Sequence, residues 1–208
     1  MLWVNKDVEA EQIPVETADM TAAILRLPAR LVLAVSVYVP GGDVQALQDT
    51  SNALRQVIPN TRRQAGSLVD VVVVGDFNRH DQLWGGDDIS STRQGEADQI
   101  INLMNVFDLM SLLPRGTKTW SGGGFETTVD LVLASADLAS STVKCMIHGT
   151  EHGSDHLAIK TELDVSVRVP QAQERLLLKN APWKEINVRI AAALESIPEE
   201  GIRVGNQR

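Results

Sequence analysis

The chain has 208 residues, 43% of them hydrophobic, which is enough to fill the core of one globular domain. Its formal net charge of -8 argues against nucleic-acid binding by a broadly basic surface, unless a divalent cation among the acidic groups supplies local positive charge. The single cysteine, Cys145, excludes an intrachain disulfide and predicts an intracellular location, and the longest apolar run, residues 31–40, is about half of what a membrane-spanning helix requires.

In chain order, the first half of the sequence predicts three strands and one helix. The strand signals are short apolar runs rich in β-branched side chains, of which LVLAVSVYV and VDVVVV are the clearest. These strands are residues 24–27, 31–39 and 69–74. Residues 43–58 have apolar side chains at helical spacing, and Pro59 predicts the end of that helix.

The second half continues the alternation, with a helix over residues 96–107 and strands over 128–134 and 157–167. Together these elements predict a layered α/β domain over residues 1–168. A different region follows over residues 169–208: a linker at 169–173 and an amphipathic helix at 181–197.

Asp76 and Asn78 follow the strand predicted at residues 69–74, in the string VVVVGDFNRH. Open α/β sheets bind ligands at the carboxyl ends of their strands. Two residues apart on an extended chain, a carboxylate can hold a metal or a water while the amide donates to a phosphate oxygen. Because Gly-Asp-x-Asn is also common in turns without a function, the residues alone leave both interpretations open.

Asp155 and His156, in HGSDH, come directly before the strand predicted at residues 157–167. An acid beside an imidazole suggests a general base next to a metal ligand, while a turn cap at Asp155 and a surface position for His156 are the alternative. Asp130 lies early in the apolar string TVDLVLAS. Because burying an unpaired carboxylate is costly, Asp130 should have a partner, and an imidazole is a good one.

Taken in order, these strings resemble the endonuclease/exonuclease/phosphatase superfamily, whose members include exonuclease III-like repair nucleases. The resemblance begins at SVYVP, with Tyr38 in the place of the family's active-site tyrosine, and continues through GDFN, Thr119-Trp120 and Asp130 to Ser154-Asp155-His156. More narrowly, GDFNRHDQLWGG, LLPRGTKTW, TVDLVLAS and RLLLKNAPW resemble fungal non-LTR retrotransposon polyproteins, in which this domain precedes a reverse transcriptase.

The resemblance implies a two-layer β-sandwich flanked by helices, of the DNase I-like type, and a metal-dependent phosphodiesterase that cuts DNA as a retrotransposon-type endonuclease. It implies that His156 is the general base and that Asp130 orients it. Asp76 and Asn78 would position the attacking water and the scissile phosphate, and Tyr38 would donate a hydrogen bond to a phosphate oxygen or support the leaving group.

The same resemblance implies ligands and partners. Asp76 and Asp155 would bind Mg²⁺ or Mn²⁺, since the available donors are hard oxygens. DNA would be the substrate, a reverse transcriptase region would follow in the polyprotein, and the nucleus would be the place of action. Substrate contacts are implied for Asn78, Thr119, Trp120 and Ser154.

The sequence departs from the family at one point. Family members open with a strand that carries an asparagine and a later strand that ends in a glutamate, the principal metal ligand, and neither motif is found here. Residues 1–4 look like a strand that the family places after both. We therefore expect one incomplete sheet, weak metal binding and activity barely above background. A catalytically inactive remnant that serves as a binding module, and a phosphatase of the same superfamily, stay open as alternatives.

Overall fold

The computed structural model of the chain describes residues 1–93, 95–150 and 152–166. None of the helices in these ranges has the length and hydropathy that crossing a membrane requires. The linker and amphipathic helix predicted for residues 169–208 lie outside the described residues.

The described residues form ten strands and four α-helices. The strands are β1 Glu9–Ile13, β2 Met20–Leu27, β3 Arg30–Tyr38, β4 Val69–Asp76, β5 Leu109–Ser111, β6 Trp120–Gly122, β7 Phe125–Thr127, β8 Asp130–Ser135, β9 Thr142–Ile147 and β10 Ile159–Leu163. The helices are α1 Val44–Ala65, α2 Gln82–Gly85, α3 Asp98–Phe107 and α4 Ala136–Ala139.

Six strands form the main sheet, in the order β1-β2-β3-β4-β8-β5. Only β3 and β4 pair in parallel, because α1 crosses over between them, and the other neighbours are antiparallel. The strands β9 and β10 form a second, two-stranded sheet, and β6 and β7 form a short hairpin.

The main sheet is covered on both faces. Alternate residues of β3, β4 and β8, such as Leu33, Val71 and Leu131, form one hydrophobic core with α1 and α3. The residues between them face the other way, where β9 and β10 contribute Cys145 and Ile159 to a smaller core. A six-stranded sheet thus faces a two-stranded sheet, with helices outside, which confirms the predicted layered α/β fold.

The prediction that α1 ends at Pro59 is wrong, because the helix continues to Ala65. Val57, Ile58 and Thr61 are buried on both sides of the proline, and this packing outweighs the hydrogen bond that proline removes. The helix ends instead at Gly66, whose φ of 59° is the left-handed conformation that glycine adopts easily.

Three other sequence predictions need correction. Residues 1–4 form no strand: they pair with none of the described strands, and Trp3 is almost fully exposed. The last predicted strand is shorter than residues 157–167, since β10 is Ile159–Leu163. Five strands are missing from the prediction: most side chains of β1 and β9 are polar or exposed, and β5, β6 and β7 have only three residues each.

Candidate active site

Three predicted site residues lie in one row across the main sheet. Tyr38 pairs in register with Asp76 on the neighbouring strand, and Asp76 pairs with Asp130 on the next one. Residues in register on adjacent strands point to the same face of a sheet. The row therefore lies on the same face of the sheet as Val74 and Val132. It begins where the apolar side chains that pack against β9 and β10 end.

The turn after β4 fixes the first carboxylate of the row. Gly75 has a φ of 148°, and a Cβ there would lie 1.9 Å from the carbonyl oxygen of Val37, so only glycine fits. Asn78 adopts a left-handed φ of 47°. Its backbone N–H donates to Asp76 Oδ1 at 2.9 Å, and its side-chain Nδ2 donates to Asp76 Oδ2 at 2.6 Å and to the Val39 carbonyl at 3.1 Å.

His156 and Asp130 form a hydrogen-bonded pair, with 2.9 Å between His156 Nδ1 and Asp130 Oδ2. The predicted contact between these two side chains is thus confirmed. Thr119, which is fully buried, accepts hydrogen bonds at its Oγ1 from the backbone N–H groups of Val129 and Asp130. Its carbonyl accepts from the Leu157 N–H at 2.7 Å, so one residue positions both chain segments.

The pair changes the proton affinity of the imidazole. Burial opposes the charged form of His156, but the hydrogen bond and the negative charge of Asp130 outweigh it and hold the pKa of His156 above its ordinary value. Burial raises the pKa of Asp76, with a further contribution from the charge of Asp130, while the backbone hydrogen bond from Asn78 opposes that rise. Negative charge is thus concentrated around one imidazole.

Asp76, Asp130 and His156 each offer a ligand atom within 4.8 Å of those of the other two, and no other group of three such residues exists in the described ranges. Two partly buried carboxylates with an imidazole are a donor set that suits a divalent cation, because a cation would offset the repulsion between the carboxylates. Mg²⁺ is commonly held by one or two carboxylates together with water and phosphate oxygens.

The structure does not bring Asp155 into this group, although the sequence analysis predicts a metal-binding role for it. The Asp155 carboxylate is exposed and accepts a hydrogen bond at 2.9 Å from Trp120 Nε1, which lowers its pKa. Trp120 also pairs with His156 in an isolated antiparallel bridge. Asp155 and Trp120 thus connect the loop that carries His156 to β6.

The remaining predicted residues lie at the rim of the site. Tyr38 is half exposed at the end of its strand. Ser154 is exposed, and its hydroxyl accepts a hydrogen bond from the His156 N–H at 3.1 Å. Ser154 therefore contacts the backbone of the predicted general base.

The sequence analysis assigns no role to Arg79, which the structure buries directly beside Asn78. One of its terminal nitrogens, Nη1, donates to the Asn78 carbonyl at 2.9 Å and to the Pro40 carbonyl at 3.3 Å. The other, Nη2, donates to the Asp43 carbonyl at 2.5 Å. The sequence indicates a role for Arg79 only through its position next to Asn78. No sequence pattern predicts that an arginine will be buried and bind backbone carbonyls.

Comparison with known proteins agrees with this geometry. Residues 32–160 match the family described as Endonuclease-reverse transcriptase, a range that contains every residue of the site from Tyr38 to His156. Among curated proteins, no match is found.

Solved structures share the fold. The endonuclease domain of TRAS1, a telomere-specific non-LTR retrotransposon, superimposes with a TM-score of 0.61 at 18% identity over 77% of this chain and 71% of its own. The 3' phosphatase NExo from Neisseria, bound to a product DNA hairpin, gives 0.53 at 17% identity over 77% and 72%. The AP endonuclease LMAP from Leishmania major gives 0.60 at 16% identity over 79% and 63%.

Proposed function

Because the chain belongs to the endonuclease/exonuclease/phosphatase superfamily, within its endonuclease-reverse transcriptase family, we propose that residues 1–168 are a metal-dependent phosphodiesterase domain that cuts DNA. The observation that carries the proposal is the hydrogen-bonded pair of His156 and Asp130 beside Asp76, at the ends of adjacent strands. A general base, its orienting acid and a second carboxylate are the groups that water attack on a phosphodiester needs.

DNA is the proposed substrate. The similar structures include a retrotransposon endonuclease domain and a phosphatase with a DNA hairpin product. We propose a retrotransposon-type endonuclease that acts in the nucleus and is followed in its polyprotein by a reverse transcriptase region. The family description, which pairs the two activities, supports this reading.

His156 acts as the general base in this mechanism. Its Nδ1 is engaged by Asp130, which selects the tautomer with a proton on Nδ1 and leaves Nε2 to accept a proton from the attacking water. Asp130 then stabilises the imidazolium that forms. Thr119 holds the backbone of Asp130 and thereby keeps the pair aligned.

Asp76 and Asn78 position the attacking water in the same mechanism. Both hydrogens of the Asn78 side-chain amide are donated, one to Asp76 and one to the Val39 carbonyl, so the amide does not donate to a phosphate oxygen as the sequence analysis expects. Its orientation is therefore set before substrate binds, and Oδ1 is left to accept a hydrogen bond from the water. Tyr38, half exposed on the same row, donates a hydrogen bond from its phenolic O–H to a phosphate oxygen. Trp120 and Ser154 hold the loop that carries His156.

Asp76 and Asp130 are the residues that would hold the divalent ion, Mg²⁺ or Mn²⁺. When bound, the ion would offset the negative charge that builds on the phosphate. Asp155, whose carboxylate is engaged by Trp120, supports the loop rather than the ion in this proposal.

A second candidate function is a DNA-binding module without catalysis. The observation that favours it is the number of carboxylates: the trio contains two, with no further His, Cys, Asp or Glu joining it in the ranges that the structure describes. A site with few carboxylates binds Mg²⁺ weakly. The two candidates are distinguished by cleavage.

The test is conversion of supercoiled plasmid to open circles by the full chain, with Mg²⁺, with Mn²⁺ and with EDTA. We expect slow nicking that requires the metal and is lost in His156→Ala. The matched control is His148→Ala, which removes an exposed histidine outside the trio. Equal nicking by both variants, or nicking that persists in EDTA, would contradict the proposed mechanism.

A complementary test supplies the two motifs that the sequence lacks. Fusing a segment that carries the family's asparagine and glutamate strands ahead of residue 1 should raise the nicking rate by orders of magnitude if metal affinity limits catalysis. Binding of DNA with no cleavage in either protein would favour the binding module.

A further inference from the structure

A pocket of about 590 Å³ opens beside Asn78 and is lined by the start of α1 and the loop before α3. Its lining includes Gly41, Gly42, His80, Arg93 and Gln99. We call it the flank pocket. Asn78 belongs both to this pocket and to the cluster around Asp76, so the two spaces adjoin.

The flank pocket is locally positive in a chain whose net charge is -8. Its charged lining residues are two arginines and one glutamate: Arg79, Arg93 and Glu96. Arg79 is buried in the pocket lining, and its hydrogen-bond partners are all carbonyl oxygens. No carboxylate therefore neutralises it within salt-bridge distance in the described part of the chain.

Arg93 is the cation of this pocket that a ligand can reach. About half of its side chain is exposed, and its guanidinium lies 2.5 Å from His80 Nδ1 and 3.7 Å from Glu96. The ion pair with Glu96 is therefore long. Burial and the charge of Arg93 lower the pKa of His80, so the imidazole is neutral near pH 7 and accepts a hydrogen bond from Arg93.

The shape of the pocket also suits a nucleotide. Gly41 leaves space next to Asn78, because a Cβ at Gly41 would lie 3.7 Å from Asn78 Oδ1. Val44, which is 69% exposed, and Leu47 give the pocket an apolar wall against which a sugar or a base packs. A phosphate group, an apolar ring and hydrogen-bonding edges are the parts of a nucleotide that these walls match.

We propose that the flank pocket binds the nucleotide next to the scissile phosphate, with Arg93 as the ligand of its phosphate. The proposal rests on the proposed function, because it takes the cluster around Asp76 as the place of cleavage. It adds a subsite that determines how the DNA strand is aligned, and it explains how an acidic protein holds a polyanion next to two carboxylates.

The first test measures binding without cleavage. A short fluorescein-labelled DNA duplex is titrated with the full chain in EDTA at several salt concentrations, and the binding constant is plotted against salt. Each phosphate contact contributes about 0.9 to the slope of log K against log salt for duplex DNA. We expect Arg93→Ala to lower the slope by about this amount.

The matched control is Arg115→Ala. Arg115 is 49% exposed and paired with Asp87, whereas Arg93 is 47% exposed and paired with Glu96, but Arg115 does not line the pocket. The slope for Arg115→Ala should equal that of the wild type. A purely structural role for Arg93 would change stability without changing the number of released counterions.

The second test blocks the space. Gly41→Leu places a side chain in the pocket, while Gly149→Leu adds the same side chain at a position with nothing within 4 Å of a Cβ. We expect Gly41→Leu to weaken duplex binding several-fold with an unchanged urea midpoint, and Gly149→Leu to bind as the wild type does.

The outcomes separate this proposal from the proposed function. The flank-pocket proposal would be overturned if the wild type binds DNA but Arg93→Ala has the same salt slope, or if Gly41→Leu has the same affinity. Either result would leave the endonuclease proposal standing. Loss of nicking in His156→Ala together with full flank-pocket effects would support both. Absence of duplex binding by the wild type would overturn both.

Discussion

His156 and Asp130 are 26 positions apart in the chain, and their side chains meet at 2.9 Å between two layers of the protein. Asp130 starts a strand of the main sheet, whereas His156 precedes a strand of the second sheet. The pair therefore forms only when the two sheets pack together, and the proposed chemistry depends on that packing.

The first prediction tests the pair. In the fusion that carries the family's asparagine and glutamate strands, His156→Ala and Asp130→Asn should each lower metal-dependent nicking by about 10² to 10⁴ fold, the usual contribution of a general base. The losses in the double variant should be less than additive, because part of the effect of Asp130 is exerted through the imidazole that His156→Ala removes. Fully additive losses, measured as plasmid nicking rates, would show that Asp130 acts independently.

The second prediction concerns Gly75. Gly75→Ala should destabilise the fold by roughly 2 kcal/mol or more, since its Cβ would lie 1.9 Å from the Val37 carbonyl and force β3 and β4 apart. Urea unfolding measures the change. Gly149→Ala, at an open position, is the control and should change stability by less than about 0.5 kcal/mol. Equal stability of both variants would refute the close approach.

The third prediction concerns the buried ion pair of Arg30 and Asp70, whose nitrogen and oxygen lie 3.4 Å apart with side chains that are 2% and 4% exposed. Asp70→Asn should lower the free energy of unfolding by about 3 kcal/mol, because it removes the negative charge that lies against the buried guanidinium of Arg30. The double variant Arg30→Met with Asp70→Leu should recover most of the loss. A double variant as unstable as Asp70→Asn would indicate that packing, not charge, is responsible.

The fourth prediction is a pH dependence of stability that arises from His80. Burial, with a further effect of Arg93, lowers its pKa in the folded state, while Glu96 opposes the shift. In the unfolded state His80 has the ordinary histidine pKa of about 6.5, so below that pH the unfolded state binds more protons than the folded state does. Stability therefore decreases as the pH falls from about 6.5 through the lower pKa of His80 in the folded state. Urea midpoints between neutral and mildly acidic pH should fall less steeply in His80→Gln. Parallel pH profiles would contradict the assignment.

The fifth prediction concerns Pro59, which lies inside α1. Pro59→Ala should restore the missing backbone hydrogen bond and raise the free energy of unfolding by about 1 to 3 kcal/mol, even though it adds freedom to the unfolded chain. Gln56→Ala, at an exposed position of the same helix, should change stability little. A loss of stability in Pro59→Ala would show that the proline ring itself packs favourably.

The central elements are predictable from the sequence because their signals are strong. Apart from the half-exposed Tyr38, residues 31–39 and 69–74 are buried or half-buried on both faces of the sheet. They therefore form continuous apolar runs in the sequence, and they correspond closely to β3 and β4. The helix that ends in Phe107 is visible from its spacing of apolar residues, and it forms as Asp98–Phe107. The apolar character of side chains and their spacing along the chain can both be read directly from the sequence.

Other features depend on contacts that a local pattern does not record. The side chains of β1 are mostly exposed, so this strand is identified by its pairing with β2 rather than by its composition. The hydrogen bond between Asp155 and Trp120 links residues 35 positions apart. It engages the Asp155 carboxylate, which is not a member of the trio. The role of Arg79 likewise depends on which carbonyl groups the fold places around it.

The row formed by Tyr38, Asp76 and Asp130 also limits how the chain can change in length. Inserting or deleting one residue inside β3, β4 or β8 would turn the following side chains to the opposite face and remove one member from the row. In the segments between these strands, side chains do not alternate between two faces of a sheet, so a change in length there does not displace the row. Length variation among relatives, and insertions chosen for engineering, should therefore concentrate between the strands and spare their interiors.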